Sequence, residues 1–588
     1  MKNTKPFLLV MLTVLSVSAV WAQLEMSSHE ALLALAGVGI FLLLKAASDS
    51  ISRRSYTAGI LLGAVFALCS VLGKLDALSE AKNYILWKAV RFTGLWVLFA
   101  AGLSVLFEKL SCVTLADKAS DRSAKKCRRV FFASFACLLT VYFLWWLYEF
   151  PGNTSPDSSN QIMQAMGLIP LSNHHPVANT MFLKLIFNIG FKLFDGNQNA
   201  ALGSYTFVQL IFMSACFAYT VTALYREGIK RAAVIAVLAS YLLLPYHGSY
   251  SVTVWKDVPF GGMVLLMCTV LWQLLECSKR GEKAGAGLLL FVFSAFGVCL
   301  LRSNGLYAFI LALPFILIVF RKRNIKIAFI AAGTAVASML ITGVVYPSLN
   351  IRPADFVESL SIPAQQIARV IASDDELTEE QEELLSRIID ISAVKDTYNE
   401  NISDPVKNLI RTTGDVEYLS AHKGEYLKLW VNIGMSHPGD YLRGFIEQTK
   451  GYWYPDVKYW SMSTYCDDCI QLEIYKDRHL PDSIGRIFAD VGFYSPNLPI
   501  SGLFFSIGFA SWILLCMFSM CIVNRKYAFM LIYVPVIAIM ATLLIATPVY
   551  AEFRYAYGMF TSLPLLGVIP FCEKQADFPA KEIKGAKK

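Results

Sequence analysis

The segment at residues 150–176, FPGNTSPDSSNQIMQAMGLIPLSNHHP, is a polar loop between two long apolar segments. Of the 588 residues, 56% are hydrophobic and only 16% are charged, whereas soluble proteins carry about 25% charged residues. Apolar segments of roughly 17 to 25 residues, long enough to cross a bilayer as helices, recur along the chain. The sequence therefore predicts an all-α multi-pass membrane protein, with this loop just outside the hydrocarbon core.

About fourteen membrane-spanning helices are predicted. They cover residues 7–22, 31–47, 57–73, 84–107, 130–149, 199–224, 232–250, 256–275, 286–301, 305–320, 325–346, 501–523, 527–548 and 556–572. Basic residues, which concentrate in short cytoplasmic loops, cluster on one side of this arrangement, for example at 118–129 and 321–326. Both termini are then cytoplasmic in a cell membrane, and loop 150–198 is extracytoplasmic. The net charge of +8 follows from this topology and does not indicate nucleic-acid binding, which needs a clustered basic face.

The chain divides into six predicted parts. They are N-terminal accessory transmembrane helices (1–114), a cytoplasmic basic linker (115–129), a transmembrane core with first outer loop 150–198 (130–346), a mainly helical extracytoplasmic domain (347–500), C-terminal transmembrane helices (501–573) and a cytoplasmic tail (574–588). Residues 158–168 and 177–194 are expected to form helices along the membrane surface. The first apolar segment also has the pattern of a signal peptide; we expect it to remain as a helix.

Chemically capable side chains concentrate at the predicted outer ends of the helices. Besides Asp157 in the loop, they are Lys256, Asp257, Arg302, Asn304, Glu552 and Arg554. Cations at three separate outer turns, facing a carboxylate, could bind a phosphate or pyrophosphate at the bilayer surface. Taken singly, each cation is more often an interfacial anchor whose stem lies in the membrane. It is the occurrence of all three cations at the same predicted membrane level that indicates a phosphate-binding site.

Two features of the loop allow other interpretations. Asp157 could simply cap a helix beginning at Ser158. His174 and His175 could be a metal pair, donors to a phosphate, or cap residues of a helix that Pro176 starts. Adjacent helical residues point about 100° apart, which disfavours one shared metal.

Cys466 and Cys469 form the other candidate metal motif, in a predicted outer segment. A short-range disulfide or two thiols is the simpler interpretation, because zinc would need two further ligands that the sequence does not supply. No cofactor is therefore certain, although a divalent metal is possible.

The chain also resembles a known superfamily. The block 130–346, with a helix, a long first outer loop bearing an acidic residue and then six more helices, resembles the core of GT-C membrane glycosyltransferases. Short motifs over roughly 130–572 are similar to an uncharacterised family of bacterial multi-pass proteins grouped with those enzymes. They are SPDS (155–158), NHHP (173–176), WKD (255–257), LSIPAQQIAR (360–369) and GYWYPD (451–456).

The resemblance implies transfer of a sugar from a polyprenyl-phosphate carrier to a glycan or glycolipid acceptor of the cell envelope, on the outer face. The matching acidic residue is Asp157, as base or metal ligand. The chain departs from the usual pattern in its extra leading helices and in lacking an Asp-x-Asp motif, which argues against metal dependence. We expect an inverting reaction with Asp157 as base, with Lys256, Arg302 and Arg554 stabilising the leaving phosphate and His174 or His175 orienting substrate.

Two other functions remain open. A transporter or lipid-linked-glycan flippase would place ionisable groups near the bilayer midplane, where this sequence has few. A glycan ligase or polymerase would use similar outer cations.

Overall fold

The computed structural model describes residues 4–24, 30–48, 51–75, 84–117, 122–462 and 466–572. These residues form helices joined by loops, with isolated β-bridges such as that between Asn153 and Thr253. The predicted all-α class is confirmed for this part of the chain. Residues 118–121 of the predicted linker and the predicted tail 574–588 lie outside the described residues.

The N-terminal helices are α1 (Thr4–Leu24), α2 (Glu30–Ser48), α3 (Arg53–Leu72) and α4 (Tyr84–Ser111). Helix α3 packs closely on α4, since a Cβ atom built on Gly63 would lie 2.6 Å from the backbone nitrogen of Ala100. Small residues allow such close approach between helices in a membrane. Phe66 of α3 stacks on Trp512 with 4.0 Å between ring centroids, which joins this module to the C-terminal helices.

The transmembrane core contains the first outer loop and the helices around it. In chain order these are α5 (Ala124–Glu149), α6 (Pro156–Met166), α7 (Val177–Leu193), α8 (Gln198–Arg226), α9 (Arg231–Leu243), α10 (Pro245–Ser251), α11 (Asp257–Arg280), α12 (Ala286–Leu301), α13 (Ser303–Phe320) and α14 (Ile325–Leu340). Helix α11 is buried without interruption from Asp257 to Leu275 and packs against α8 and α12. A helix apolar on all sides belongs in the interior of a bundle. Its N-terminus therefore holds Asp257, and Lys256 before it, in a fixed place.

The two helices predicted within the first outer loop are present as α6 and α7, while their position along the membrane surface stays a prediction. Pro156 occupies the first turn of α6, where its missing N–H costs nothing. Gly167 ends α6 in the left-handed conformation with φ 80°, which favours glycine. Buried residues of the two helices, Ile162 and Leu183 among them, pack into one apolar cluster with α8.

The predicted outer domain is a group of short helices. They are α15 (Tyr346–Ser348), α16 (Ser361–Ala372), α17 (Glu379–Ser386), α18 (Ile391–Thr397), α19 (Asp404–Thr413), α20 (Val416–Ala421), α21 (Lys423–Ser436), α22 (Pro438–Thr449) and α23 (Asp482–Tyr494). Helices α16 to α22 share an apolar core. The Asn173 N–H donates to the Arg352 carbonyl at 2.7 Å, so the domain begins on the same side as the first outer loop and is bonded to it.

The chain closes with α24 (Ile507–Val523), α25 (Val534–Ala546) and α26 (Tyr557–Val568). Within the described residues, eight helices are long and apolar enough to cross a membrane, or nine if α9 and α10, bent by 58°, form one span. Shorter apolar helices are Ala34–Ser48 within α2, α12, α24 and α25. A polytopic helical protein is therefore confirmed, while the number fourteen stays a prediction.

Candidate functional site

Asp157 lies in the first turn of α6. Ser155 occupies the capping position, and its backbone N–H donates to the hydroxyl of Ser158 at 3.1 Å. Asp157 instead accepts a hydrogen bond on Oδ2 from Nη1 of Arg554 at 2.9 Å, across 397 positions of sequence. The capping role considered for Asp157 is wrong, because Ser155 fills that position.

The Asp157–Arg554 ion pair is open to solvent on its carboxylate side. The side chain of Asp157 is 39% exposed, against 15% for Arg554. Burial raises the pKa of Asp157, but Lys256 and Arg554 outweigh this effect and hold the pKa well below its usual range. The carboxylate is therefore ionised at neutral pH and accessible to a ligand.

Aromatic rings fix the position of the Arg554 guanidinium. It lies 5.3 Å from the ring centroid of Trp255 and 5.2 Å from that of Tyr555, distances at which a cation is attracted to a ring face. The indole N–H of Trp255 donates to Oγ of Ser155 at 2.9 Å, so the same ring also braces the start of α6. Oε1 of Glu552 lies 3.3 Å from Nε of Arg554. The cation is thus held in place before any ligand arrives.

Lys256, directly before α11, is the charge that lowers the pKa of Asp157 most. Its Nζ lies 3.3 Å from Nδ1 of His175. Burial lowers the pKa of His175 to about 3, and Lys256 acts in the same direction, so the imidazole is neutral at neutral pH and can accept a hydrogen bond from the ammonium group. His174 is exposed and meets the His175 ring edge-on at 4.7 Å between centroids. This hydrogen bond allows His175 to orient the ammonium group of Lys256.

Arg302 makes a more buried pair behind this layer. Its Nη1 lies 2.8 Å from Oδ1 of the buried Asp257 and donates to the carbonyl of Tyr555 at 3.0 Å. Its guanidinium also lies 4.6 Å from the Tyr555 ring centroid. Tyr555 therefore contacts both arginines, and Arg302 supports the ring that fixes Arg554. Asn304 lies apart and donates to Oγ1 of Thr542 on α25 at 2.9 Å.

Glu552 is a second carboxyl that contacts Arg554. It is buried. Burial raises its pKa to about 7; Asp257 and Asp157 act in the same direction, while Arg554 and Arg302 oppose them. Part of the population carries a proton at neutral pH, so the net charge around Arg554 is adjustable.

The sequence-predicted residues thus converge to a large extent. The cluster contains Asp157, His175, Lys256, Asp257, Arg302, Glu552 and Arg554, with His174 and Asn304 at its edge. Lys256 and Arg554 face the exposed carboxylate, whereas Arg302 is paired with Asp257. The arrangement suits an anionic ligand that shares two cations with Asp157.

A family model described as DUF6020, a family of unknown function, matches residues 163–584. The chain belongs to the DUF6020 family. No curated protein and no solved structure matches it. In this DUF6020 protein the match includes His174, His175 and all the cations of the cluster, and begins after Asp157.

Sequence reasoning missed the aromatic members of the site. Trp255 directly precedes Lys256 in the chain, and Tyr555 directly follows Arg554. This adjacency could have indicated that both rings belong to the site. Their role depends on which way each ring faces, which only the packing of α11 and α26 decides.

A second acidic–basic pair in the DUF6020 protein was also missed. Nζ of Lys476 lies 2.5 Å from Oε2 of Glu149, at the end of α5, and donates to Oδ1 of Asn153 at 2.6 Å. The Glu149 side chain is fully buried. Lys476 lies in a stretch without helical periodicity, so nothing in the sequence indicated this partner.

A metal site finds no support in the side chains present. In the described ranges, no three His, Cys, Asp or Glu residues are grouped so that they could hold a metal ion. Cys466 and Cys469 are buried in the apolar cluster of α6 and α7. Within these residues the donor set does not fit a divalent cation.

Proposed function

We propose that this protein is a membrane glycosyltransferase of the GT-C type. It moves a sugar from a polyprenyl-phosphate carrier to an envelope acceptor on the extracytoplasmic face. The observation that carries the proposal is the exposed carboxylate of Asp157, 2.9 Å from Arg554 and close to Lys256, at the end of a helical bundle.

Lys256 and Arg554 would bind the donor phosphate. Phosphate accepts strong charge-assisted hydrogen bonds from both cation types, and a planar guanidinium can bind two of its oxygens. As the bond between C1 of the sugar and the phosphate oxygen breaks, charge develops on the leaving polyprenyl phosphate. Fixed cations at that point stabilise the transition state without having to reorganise.

Asp157 would accept the proton of the acceptor. The acceptor hydroxyl oxygen attacks C1, the carrier phosphate departs with the bonding electron pair, and the hydroxyl proton passes to the Asp157 carboxylate. A base with a very low pKa is weak, but a bound phosphate would share Lys256 and Arg554 and so raise the pKa of Asp157 toward its usual value. Donor binding thereby prepares the base, and attack from the side opposite the phosphate inverts the configuration at C1.

His175 and Glu552 would act on the cations. His175, neutral, orients the ammonium group of Lys256. Glu552, with a pKa of about 7, can take up a proton when the negative charge of a bound phosphate is added next to Arg554. A glycan ligase or polymerase would use the same groups with a lipid-linked glycan as acceptor. The identity of the acceptor therefore distinguishes these reactions from the proposed sugar transfer.

A lipid-linked-glycan flippase is the second candidate function. The observation that favours it is the break between α9 and α10, bent by 58°, because transporters often use discontinuous helices at their binding sites. A flippase would move labelled lipid across a sealed vesicle without forming a new glycosidic product.

The test is transfer by purified protein in liposomes, with a panel of polyprenyl-phosphate-linked monosaccharides as donors. We expect Asp157→Asn to lower the rate by about 10²- to 10⁴-fold, the usual contribution of a general base. Asp195→Asn is the matched control: Asp195 is exposed in the same outer loop, and its φ of 50° suits asparagine. An undiminished rate in Asp157→Asn would rule out the proposed mechanism.

A further inference from the structure

A groove of about 920 Å³ lies beside the site. The segment 455–462 lines one part of it, α23 and residues 496–506 line another, and Tyr148 contributes from α5. This volume is at the upper end of the roughly 300 to 1,000 Å³ typical of small-molecule sites. It suits a ligand larger than a single sugar ring.

The groove combines aromatic rings with hydrogen-bonding groups. Tyr459, Trp460 and Phe493 line it, and Trp460 is 41% exposed. Asp456, Lys458, Ser461, Arg478 and Asn497 line it as well. Sugars present both kinds of surface, since their C–H faces pack on aromatic rings and their hydroxyl groups pair with charged and amide side chains. A groove for a hydrocarbon chain alone would not need so many charged groups.

The walls of the groove are held in place by bonds to the core. The Tyr250 hydroxyl donates to the Ser461 carbonyl at 2.9 Å, and the Tyr550 hydroxyl donates to the Lys458 carbonyl at 3.2 Å. On the opposite side, the Ser506 hydroxyl donates to the Pro455 carbonyl at 2.7 Å. The aromatic surface is therefore preformed, which lowers the cost of binding.

The groove adjoins the candidate active site through a pair of tryptophan rings. The Trp460 ring lies 5.8 Å from the Trp255 ring, centroid to centroid. Trp255 in turn contacts Arg554 and donates to Ser155, two residues before Asp157. A chain of sugars in the groove can thus extend toward the carboxylate.

Helix α23 places the groove at the membrane surface. On this helix Ile484, Ile487 and Val491 are exposed, and the chain then enters the apolar helix α24. An amphipathic helix next to a membrane span lies in the interface with its apolar side toward lipid. Residues 489, 492 and 493 of the same helix line the groove.

We propose that this groove binds an oligosaccharide, with Trp460 stacked on the sugar nearest Asp157. That this oligosaccharide is the acceptor rests on the proposed glycosyltransferase function. Its binding to the groove does not.

Direct binding tests the inference. Full-length protein in nanodiscs is titrated with defined neutral and anionic oligosaccharides, and affinity is measured calorimetrically. We expect Trp460→Ala to weaken binding about tenfold through loss of the stacked ring, and Trp460→Phe to restore most of it. Trp87→Ala is the control, because Trp87 is an exposed tryptophan on α4, outside the groove.

The outcomes separate the two proposals. Absence of binding to every oligosaccharide, equal affinities for wild type and Trp460→Ala, or displacement of the sugar by polyprenyl phosphate would each overturn the groove assignment. Asp157→Asn should bind the oligosaccharide normally. If wild type binds it but transfers nothing to it, the proposed enzymatic function fails while the sugar site stands.

Discussion

Two acidic–basic pairs lie at the start of the first outer loop, and they differ in accessibility. Glu149 and Lys476 form a pair whose carboxylate is fully buried and whose ammonium is also bonded to Asn153. Asp157 and Arg554 form a pair whose carboxylate is 39% exposed. A ligand can compete for the second pair but not reach the first. The comparison therefore gives Glu149 and Lys476 a structural role, and it leaves Asp157 and Arg554 accessible for the binding and chemistry proposed above.

The largest effect on stability is expected at the buried pair. Glu149→Gln keeps the side-chain volume but leaves the Lys476 ammonium without its counter-charge, and breaking a buried pair from one side costs about 3–5 kcal/mol. Thermal unfolding in detergent should show a large decrease in midpoint. Glu282→Gln, which removes the partner of an exposed ion pair with Arg280, should change it little. Equal midpoints for the two variants would contradict the structural role of Glu149.

Substitution in the exposed pair is expected to lower the rate of sugar transfer. Arg554→Lys keeps the charge but loses the planar fork that binds two phosphate oxygens and stacks on Trp255. We expect transfer to fall by about 100-fold, the loss typical of removing one preorganised donor. Arg352→Lys, at an exposed arginine, should retain wild-type transfer. Full activity of Arg554→Lys would argue that the site needs only a charge there.

The smallest effect is expected from Glu552. Its folded-state pKa, raised to about 7, means that the folded protein binds more protons than the unfolded chain between the ordinary glutamate value and pH 7. Stability should therefore fall as pH rises through this window. Unfolding midpoints measured from pH 5 to pH 8 should decline more steeply in wild type than in Glu552→Gln. Parallel curves for the two proteins would place the Glu552 pKa outside this range.

The sequence predicted the helices well, because an apolar segment long enough to cross a bilayer has few other structures available to it. It also predicted that Lys256, Arg302 and Arg554 lie at one end of the helical bundle, because the alternation of crossings is enough to place them there. It did not reveal that Asp157 meets Arg554, 397 positions away, or that Arg302 is already paired with Asp257. Which side chains pair depends on how each helix is rotated about its axis. Residues such as Lys476 lie in loops, where no periodic pattern indicates which way the side chain points.

The most direct measurement of the central claim combines both pairs. Transfer rate and unfolding midpoint are determined on the same preparations of Asp157→Asn and Glu149→Gln. We predict that Asp157→Asn loses transfer by about 10²-fold or more while its midpoint stays close to wild type, and that Glu149→Gln loses stability first. If Asp157→Asn instead unfolds at a much lower temperature, or transfers sugar at the wild-type rate, the assignment of Asp157 to chemistry is contradicted.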